Sequence, residues 1–268
     1  VHLSYQRIED PRISINIFLR EFVIFKRETD FPHKKSRVIT RNGKSMIESG
    51  DYLNDLSAWD KKTGSVRLPP YDHAMLFTRH EMYEEAANDS VGGYSPIGGI
   101  CEMGNRISVI RQRDYFWTIS TAAHELGHNL GAVHDGEGEA IACNSSDFFI
   151  LSDQEIQFSP DKTYSRNPWL FSICSVESFK KTLKHRDCAR NAGVVYDPTE
   201  LMTYMKTMPG QVYTNDRQCE FFRGRGSTYC QAAPEHICSF MRCRNPLTGG
   251  CFTMFNIAAR GTSCGYNK

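Results

Sequence analysis

The 268-residue sequence predicts a mixed α/β (α+β) domain followed by a small disulfide-rich module. Short apolar runs with alternating side chains predict strands, and segments with helical spacing lie between them. One of these helical segments carries a regularly spaced set of histidines. Six of the ten cysteines come after residue 215, and this density is typical of a small module held by disulfides in an oxidising compartment.

The first part of the chain predicts two strands and a helix. Residues 13–19 place isoleucine or leucine at every second position, which predicts a strand with one apolar face, and residues 22–25 prolong it. Apolar residues recur at helical spacing over residues 45–59, with an interruption at Gly50, which predicts a helix with an irregular start. Residues 107–110 predict another short strand.

Two later segments predict helices with recognisable starts. Asp114 can cap a helix that carries Phe116 and the histidines. Ser175 can cap a second helix, and basic residues near its end suit the negative end of the helix dipole. This second helix has a core-facing apolar stripe made of Val176, Phe179 and Leu183.

The histidines lie in the segment His-Glu-Leu-Gly-His-Asn-Leu-Gly-Ala-Val-His-Asp over residues 124–135. His124 and His128 are four residues apart on a predicted helix, so both rings project from one face and can reach one metal ion. Gly131 allows the helix to end in a left-handed conformation, after which His134 can supply a third ligand. Three neutral imidazoles leave one coordination position open, as in a catalytic zinc site.

Glu125 projects beside this predicted metal, where a general base is needed. Zinc lowers the pKa of a water in the open position, and Glu125 would accept its proton and pass it to the departing amine of a cleaved peptide. A structural zinc site is the alternative, but it needs a fourth protein ligand. Asp135 is the nearest candidate, and its position directly after His134 points it elsewhere.

The spacing HExxHxxGxxH resembles the metzincin signature, and the aspartate after the third histidine resembles the adamalysin (reprolysin, ADAM and ADAMTS) branch. Residues 71–79 are similar to this family's buried strand, and residues 93–101 to the edge strand above its active-site cleft. Residues 168–175 are similar to the approach to its last helix, and residues 208–265 to the ADAMTS disintegrin-like module. Pro96 fits an edge strand, because a central strand would lose a ladder hydrogen bond there.

The resemblance implies a metzincin catalytic domain with a twisted mixed sheet and an active-site helix over residues 1–190. A connector over residues 191–208 and a disintegrin-like module over residues 209–268 would follow. The module would be truncated, because the family unit carries eight cysteines, and the family's N-terminal strand would be missing. Leu151 stands where the family has its Met-turn methionine, and leucine keeps the volume and apolar character that the floor beneath the zinc requires.

Further ligands are implied by the resemblance alone. An extended substrate peptide would dock by main-chain hydrogen bonds along the edge strand, at Gly93, Tyr94, Ser95 and Gly98. A calcium ion would take hard oxygen ligands from Asp72, the carbonyl of Cys188 and Asn191. The alternative is that Asp72 only hydrogen-bonds its own turn.

The resemblance also implies four disulfides. The pairs are Cys101–Cys188, Cys143–Cys174, Cys219–Cys243 and Cys230–Cys251. Cys238 and Cys264 would then pair with each other or remain free.

Composition and resemblance together predict a secreted, monomeric zinc metalloendopeptidase that cleaves extracellular proteins or peptides. The net charge is +1 with both signs interspersed, so nothing suggests nucleic acid or a membrane surface, and no apolar run approaches transmembrane length. Sequons at Asn88 and Asn144 fit a secreted glycoprotein. With no starting methionine, signal peptide or pro-segment, we expect a chain processed from a zymogen or trimmed. The alternative is a catalytically weak or inactive adhesion protein that binds through the disintegrin-like module.

Overall fold

The computed structural model describes residues 1–27, 36–41, 43–64, 68–85, 89–112, 117–154, 167–190, 206–230, 237, 241–253 and 258–263. Its helices are α1 (His2–Tyr5), α2 (Ser49–Trp59), α3 (Trp117–Asn129), α4 (Ile173–Leu183), α5 (Pro209–Val212) and α6 (Asn215–Arg223). Its strands are β1 (Val38–Arg41), β2 (Lys44–Glu48), β3 (Ala74–Thr78), β4 (Glu81–Glu84), β5 (Asp89–Val91), β6 (Gly93–Tyr94), β7 (Ile107–Arg111), β8 (Thr228–Tyr229), β9 (Arg242–Arg244) and β10 (Cys251–Thr253).

The described strands form three sheets. The first has the order β1-β2-β4-β5, in which only β2 and β4 run parallel. The second has the order β3-β7-β6, with β3 parallel and β6 antiparallel to β7, so β6 lies at an edge. The third, β10-β9-β8, is antiparallel and belongs to the C-terminal module. The predicted mixed α/β class with a mixed sheet is confirmed.

One hydrophobic core lies beneath α3 and joins it to the N-terminal segment and α4. Tyr5 is buried, and its hydroxyl donates a hydrogen bond to the carbonyl of Ala123 in α3 (2.9 Å). The Tyr5 ring packs against Phe171 and Phe179, with centroids 4.6 and 5.8 Å away. Residues before β1 therefore help to hold the helix that carries the histidines.

The predicted strand over residues 13–19, with its continuation over 22–25, is wrong. Ile13, Ile15 and Ile17 are half-buried against the core and alternate with exposed side chains, but none of these residues belongs to a ladder. The segment is held from one side, where the Gln6 side chain donates to the Ile15 carbonyl (2.9 Å). Alternating burial requires only one apolar surface beneath an extended chain, whereas a strand also requires a neighbour for its backbone.

The segment 45–59 contains a strand before its helix. Met46 and Ile47 lie in β2, and the side chain of Glu48 then accepts the amide hydrogen of Asp51 (2.6 Å), which starts α2. Gly50 thus lies in the first turn of α2. The irregular start that the sequence predicts is the junction between β2 and α2.

Other predicted boundaries change in smaller ways. The cap of α4 is Ser172, whose hydroxyl accepts the amide hydrogen of Ser175 (3.1 Å), so the predicted cap is wrong by three residues. The strand predicted over 93–101 is in a ladder only at Gly93–Tyr94. The predicted cap Asp114 and most of the connector lie outside the described residues.

Asp60 is fully buried at the π-helical turn that follows α2. Its carboxylate accepts hydrogen bonds from the amide of Gly104 (2.6 Å), from the guanidinium of Arg106 (3.3 Å) and from the hydroxyl of Tyr71. Burial by itself raises the pKa of Asp60, but these hydrogen bonds outweigh it and hold the pKa below its ordinary value. The carboxylate thus joins α2 to the turn that leads into β7.

Replacing Asp60 with alanine is expected to lower the free energy of unfolding by about 3–5 kcal/mol, because Arg106 would keep a buried charge without its partner. Urea unfolding measures the loss. Glu85→Ala is the control, since Glu85 pairs with Arg37 on the surface and such pairs contribute about 1 kcal/mol or less. Equal losses in the two variants would contradict the buried-pair interpretation.

The C-terminal module packs α6 against the β8–β10 sheet. Gln218 is fully buried, donates to the carbonyl of Tyr213 (2.9 Å) and the hydroxyl of Thr262 (3.0 Å), and accepts the amide hydrogen of Ala259 (2.9 Å). These bonds join the start of the module to its end.

The structure contains disulfides in both parts of the chain: Cys101–Cys188, Cys143–Cys174, Cys219–Cys243 and Cys230–Cys251. They are the four pairs that the resemblance implies. Cys238 and Cys264 lie outside the described residues. Among the helices of the described ranges, none is long and apolar enough to cross a membrane.

Candidate metal centre

Three histidine rings converge at the C-terminal half of α3 and the turn that follows it. The Nε2 atoms of His124 and His128 are 2.9 Å apart, and the Nε2 atom of His134 lies 3.2 Å from that of His128 and 3.3 Å from that of His124. The helix supplies the first two because residues four apart share a face.

In each histidine, the partner of Nδ1 determines whether Nε2 is free to bind a metal. Nδ1 of His124 donates to the carbonyl of Ile150 (2.7 Å), and Nδ1 of His128 donates to the carbonyl of Ala132 (2.8 Å). Nδ1 of His134 lies 3.4 Å from the carboxylate of Glu137. A neutral imidazole that donates through Nδ1 carries its lone pair on Nε2, so the lone pairs point at one another.

A divalent cation at this point removes the repulsion between the three lone pairs. Zinc–nitrogen bonds of about 2.0–2.1 Å in a tetrahedral site separate ligand nitrogens by about 3.4 Å, close to the observed spacing. Burial lowers the pKa of His124 well below its ordinary value and that of His128 to about 4, with neighbouring histidines contributing. The rings of His124 and His128 are therefore neutral, as metal ligands must be, and the residues present fit zinc.

Gly131 makes the turn that returns His134 to the helix. It has φ +103°, in the left-handed region, and its amide donates to the carbonyl of His128 (2.8 Å). A Cβ at this position would collide with the side chain of Thr182 in α4. Glycine is thus required both by the backbone and by the packing of α4 against the turn.

Leu151 forms the buried floor beneath the helix, in the position where the resemblance places a methionine. It is fully buried, and its Cδ2 atom lies 2.8 Å from where a Cβ on Gly127 would be. Its carbonyl accepts the amide hydrogen of Asp135 (3.0 Å), while the preceding carbonyl orients His124. The turn therefore packs against α3 and orients one ligand without methionine.

Asp135 is buried and directed away from the histidine nitrogens. Its Oδ1 atom accepts the hydroxyl hydrogen of Ser172 (2.6 Å), the residue that caps α4. Over the described part of the chain, the cluster that could hold a metal here consists of the three histidines. This arrangement gives no support to a four-ligand structural site.

Glu125 follows the first ligand and is 4% exposed. Burial raises the pKa of its carboxyl group to about 8, as expected for an acid removed from water. Its carboxylate lies against the backbone of Gly93 in the edge strand β6. A carboxyl group beside a three-histidine metal site can take up and release a proton there.

Asn129 supports the centre and was missed by the sequence analysis. It is fully buried, its amide group donates to the carbonyls of Pro96 (3.0 Å) and Asn105 (2.8 Å), and its carbonyl oxygen bonds Nδ1 of His73 (2.8 Å). These bonds join the end of α3 to the loop after β6. Its position next to His128 was the only signal in the sequence.

The four residues predicted to bind substrate divide into two pairs. Gly93 and Tyr94 form β6, which pairs with β7 on one side. Ser95 donates its hydroxyl to the carbonyl of Ile107 (3.3 Å), and the amide of Gly98 donates to the carbonyl of His128 (2.9 Å). The Gly98 amide therefore supports the C-terminal end of α3, and a substrate role for these residues stays a prediction.

Two of the three predicted calcium ligands, Asp72 and Cys188, lie in the described residues. The Asp72 carboxylate and the sulfurs of Cys101 and Cys188 lie within 4.8 Å of one another, but the sulfurs form a disulfide. The main-chain carbonyl of Asp72 accepts the amide hydrogen of Cys101 (3.0 Å), which is distant in the sequence and not part of the same turn. Asn191 lies outside the described residues. Nothing in the described part of the chain supports calcium.

Comparison with known proteins identifies both parts of the chain. The reprolysin (M12B) zinc metalloprotease family matches residues 40–192, and the ADAMTS cysteine-rich domain 2 matches residues 209–268. A Bombyx mori protein named "A disintegrin and metalloproteinase with thrombospondin motifs like" is 30% identical over 99% of this chain and 38% of its own length. "A disintegrin and metalloproteinase with thrombospondin motifs 18" of Mus musculus is 31% identical over 80% of this chain and 17% of its own length.

The chain thus spans less than two fifths of the length of these relatives. The match to the reprolysin family covers more than half of the chain and includes the three histidines and Glu125. The chain belongs to the reprolysin (M12B) family of zinc metalloproteases, with an ADAMTS cysteine-rich domain after the protease domain.

Proposed function

We propose that this chain is a secreted zinc endopeptidase that hydrolyses peptide bonds of extracellular proteins. The observation that carries the proposal is the convergence of three imidazole rings, with Nε2 atoms 2.9–3.3 Å apart, beside a buried glutamate. His124, His128 and His134 would hold the zinc, and Glu125 would act as the general base. Four disulfides fit an oxidising, extracellular location.

Zinc, when bound, supplies a Lewis acid that polarises a carbonyl group and makes water acidic near neutral pH. Glu125 would accept a proton from the attacking water on a carboxylate oxygen and transfer it to the nitrogen of the departing amine. The carbonyls of Ile150 and Ala132 hold two imidazoles in the tautomer that presents Nε2. The buried setting of Glu125 limits competing water around the proton it carries.

Substrate would bind as an extended peptide along β6. This strand has β7 on one side and, among the described strands, no neighbour on the other. Main-chain groups of Gly93 and Tyr94 could therefore add a substrate strand. The strand lies over the face of α3 that carries Glu125, since Gly93 contacts that side chain.

Metal removal tests the proposal. A zinc chelator is expected to reduce cleavage of an unfolded protein substrate to the uncatalysed background, and addition of zinc to restore it. Metal analysis of the active protein is expected to give one zinc per chain. Inhibitors of serine and cysteine proteases are the controls and are expected to have no effect.

The second candidate function is adhesion through the cysteine-rich domain with little or no catalysis. It is favoured by the well-formed module, in which two disulfides and the buried Gln218 hold α6 against the sheet. A zinc-loaded chain that binds extracellular matrix proteins but cleaves none of them would support this function. Cleavage that persists without metal would contradict both the zinc mechanism and this alternative.

A further inference from the structure

The chain crosses α3 at Gly92 and at Gly93, the first residue of the edge strand β6. Trp117, Thr121 and Glu125 follow one another at four-residue intervals along the helix face beneath the crossing. A Cβ built on Gly92 would lie 3.6 Å from Cγ2 of Thr121 and 3.9 Å from Nε1 of Trp117, which are ordinary contact distances. A Cβ built on Gly93 would lie 2.5 Å from Cγ and 2.6 Å from Cδ of Glu125, and would also collide with Oε1.

Backbone conformation does not explain glycine at Gly93. Neither Gly92 nor Gly93 is among the residues with positive φ, so an alanine could adopt the same backbone at either position. The two positions differ in the space above the helix. At Gly93 that space is occupied by the glutamate side chain.

The strand cannot easily move away to make room. Gly93 pairs with Ile110 of β7, which is fully buried, and the amide of Arg111 donates to the carbonyl of Gly92 (2.8 Å). A methyl group on Gly93 would therefore displace the Glu125 side chain more readily than the strand, because the side chain has rotatable bonds and the strand is held by its ladder.

Packing is also the main restraint on the Glu125 carboxylate. No hydrogen bond to it is found among the described residues, although the side chain is almost wholly buried. With no donor to orient it, the carboxylate takes its position from the surfaces that enclose it. Gly93 supplies one of those surfaces, because a Cβ on it would overlap the Glu125 side chain.

We propose that Gly93 is a positioning residue for Glu125: the missing side chain leaves a slot in the edge strand that receives the carboxylate and fixes its distance from the histidine cluster. The inference rests on the proposed function for its catalytic consequence, but its steric part stands on the contact alone. A displacement of about 1 Å in a catalytic group can lower the rate about a hundredfold. Substrate binding depends on the main chain of β6, which alanine preserves.

Gly93→Ala is therefore expected to lower kcat about a hundredfold with little change in KM and with full zinc content. Gly92→Ala is the matched control, because it adds the same methyl group to the neighbouring residue, where the methyl group meets Thr121 and Trp117 only at ordinary contact distances. It is expected to leave kcat, KM and zinc content unchanged. Equal loss of kcat in both variants, or no loss in Gly93→Ala, would overturn the inference.

A second measurement needs neither zinc nor activity. In metal-free protein, Gly93→Ala is expected to lower the urea midpoint of unfolding, and Glu125→Ala in the same chain is expected to remove most of that decrease, because the colliding atoms are gone. Gly92→Ala is expected to shift the midpoint equally with and without Glu125. If Gly93→Ala has the same effect in both backgrounds, the two residues are not coupled and the inference fails, whether or not the chain proves to be a protease.

Discussion

Replacing Glu125 with glutamine is expected to lower kcat by about a thousandfold or more, while the chain keeps one zinc ion. Glutamine has nearly the same shape, so it fits the slot beside Gly93, and the three histidines are untouched. An amide cannot accept a proton from water at neutral pH, and general acid–base catalysis contributes about 10²–10⁴-fold. Steady-state kinetics with a fluorogenic peptide, together with metal analysis, measures both quantities.

The control for this substitution is Glu139→Gln. Glu139 is an exposed carboxylate that pairs with Lys181 on the surface, so its loss is expected to leave kcat within about twofold of the parent. If Glu125→Gln retains zinc and also retains activity, another group acts as the base. A loss of zinc in Glu125→Gln would instead assign Glu125 a role in the metal site itself.

Replacing His134 with alanine is expected to remove both zinc and activity. Its Nε2 atom is one of only three converging nitrogens in the cluster, and it comes from a turn rather than from α3. Changes around a zinc ligand already cost about 10–100-fold in affinity, so the loss of a ligand is expected to cost at least about a hundredfold. Competition with a fluorescent zinc chelator measures the affinity.

His185→Ala is the control for the metal-binding prediction. His185 lies on the surface after α4 and is not part of the cluster, so its replacement is expected to leave zinc affinity unchanged. The two variants of the centre are also expected to differ from each other, since Glu125→Gln keeps the metal and His134→Ala loses it. Retention of full zinc affinity in His134→Ala would contradict the three-histidine site.

Much of the centre could be predicted because its geometry is local. His124, Glu125 and His128 share one helix, so helical spacing alone places the two rings on one face. Gly131 has φ +103°, the left-handed backbone conformation that a glycine just after a helix predicts. The family, the mixed fold and the zinc metalloprotease class followed from these residues and from the resemblance that they carry.

The errors fall where a segment depends on distant partners. Residues 13–19 have the alternation of a strand, but their isoleucines pack against the core shared by α3 and α4, and their backbone makes no ladder. The cap of α4 moved to Ser172, a residue that also bonds the buried Asp135. In each case the local pattern allowed more than one solution, and contacts with residues far away in the sequence selected one.

The sequence by itself determined the three-histidine cluster, the glutamate beside it and the glycine that ends the helix, because these lie within a dozen residues whose spacing follows from helix geometry. Only the tertiary structure decided which nitrogen of His124 faces the metal, through the carbonyl of Ile150, and how much room Gly93 leaves for Glu125. Those features arise where separate elements pack together, and close packing between elements leaves no periodic signal in either one.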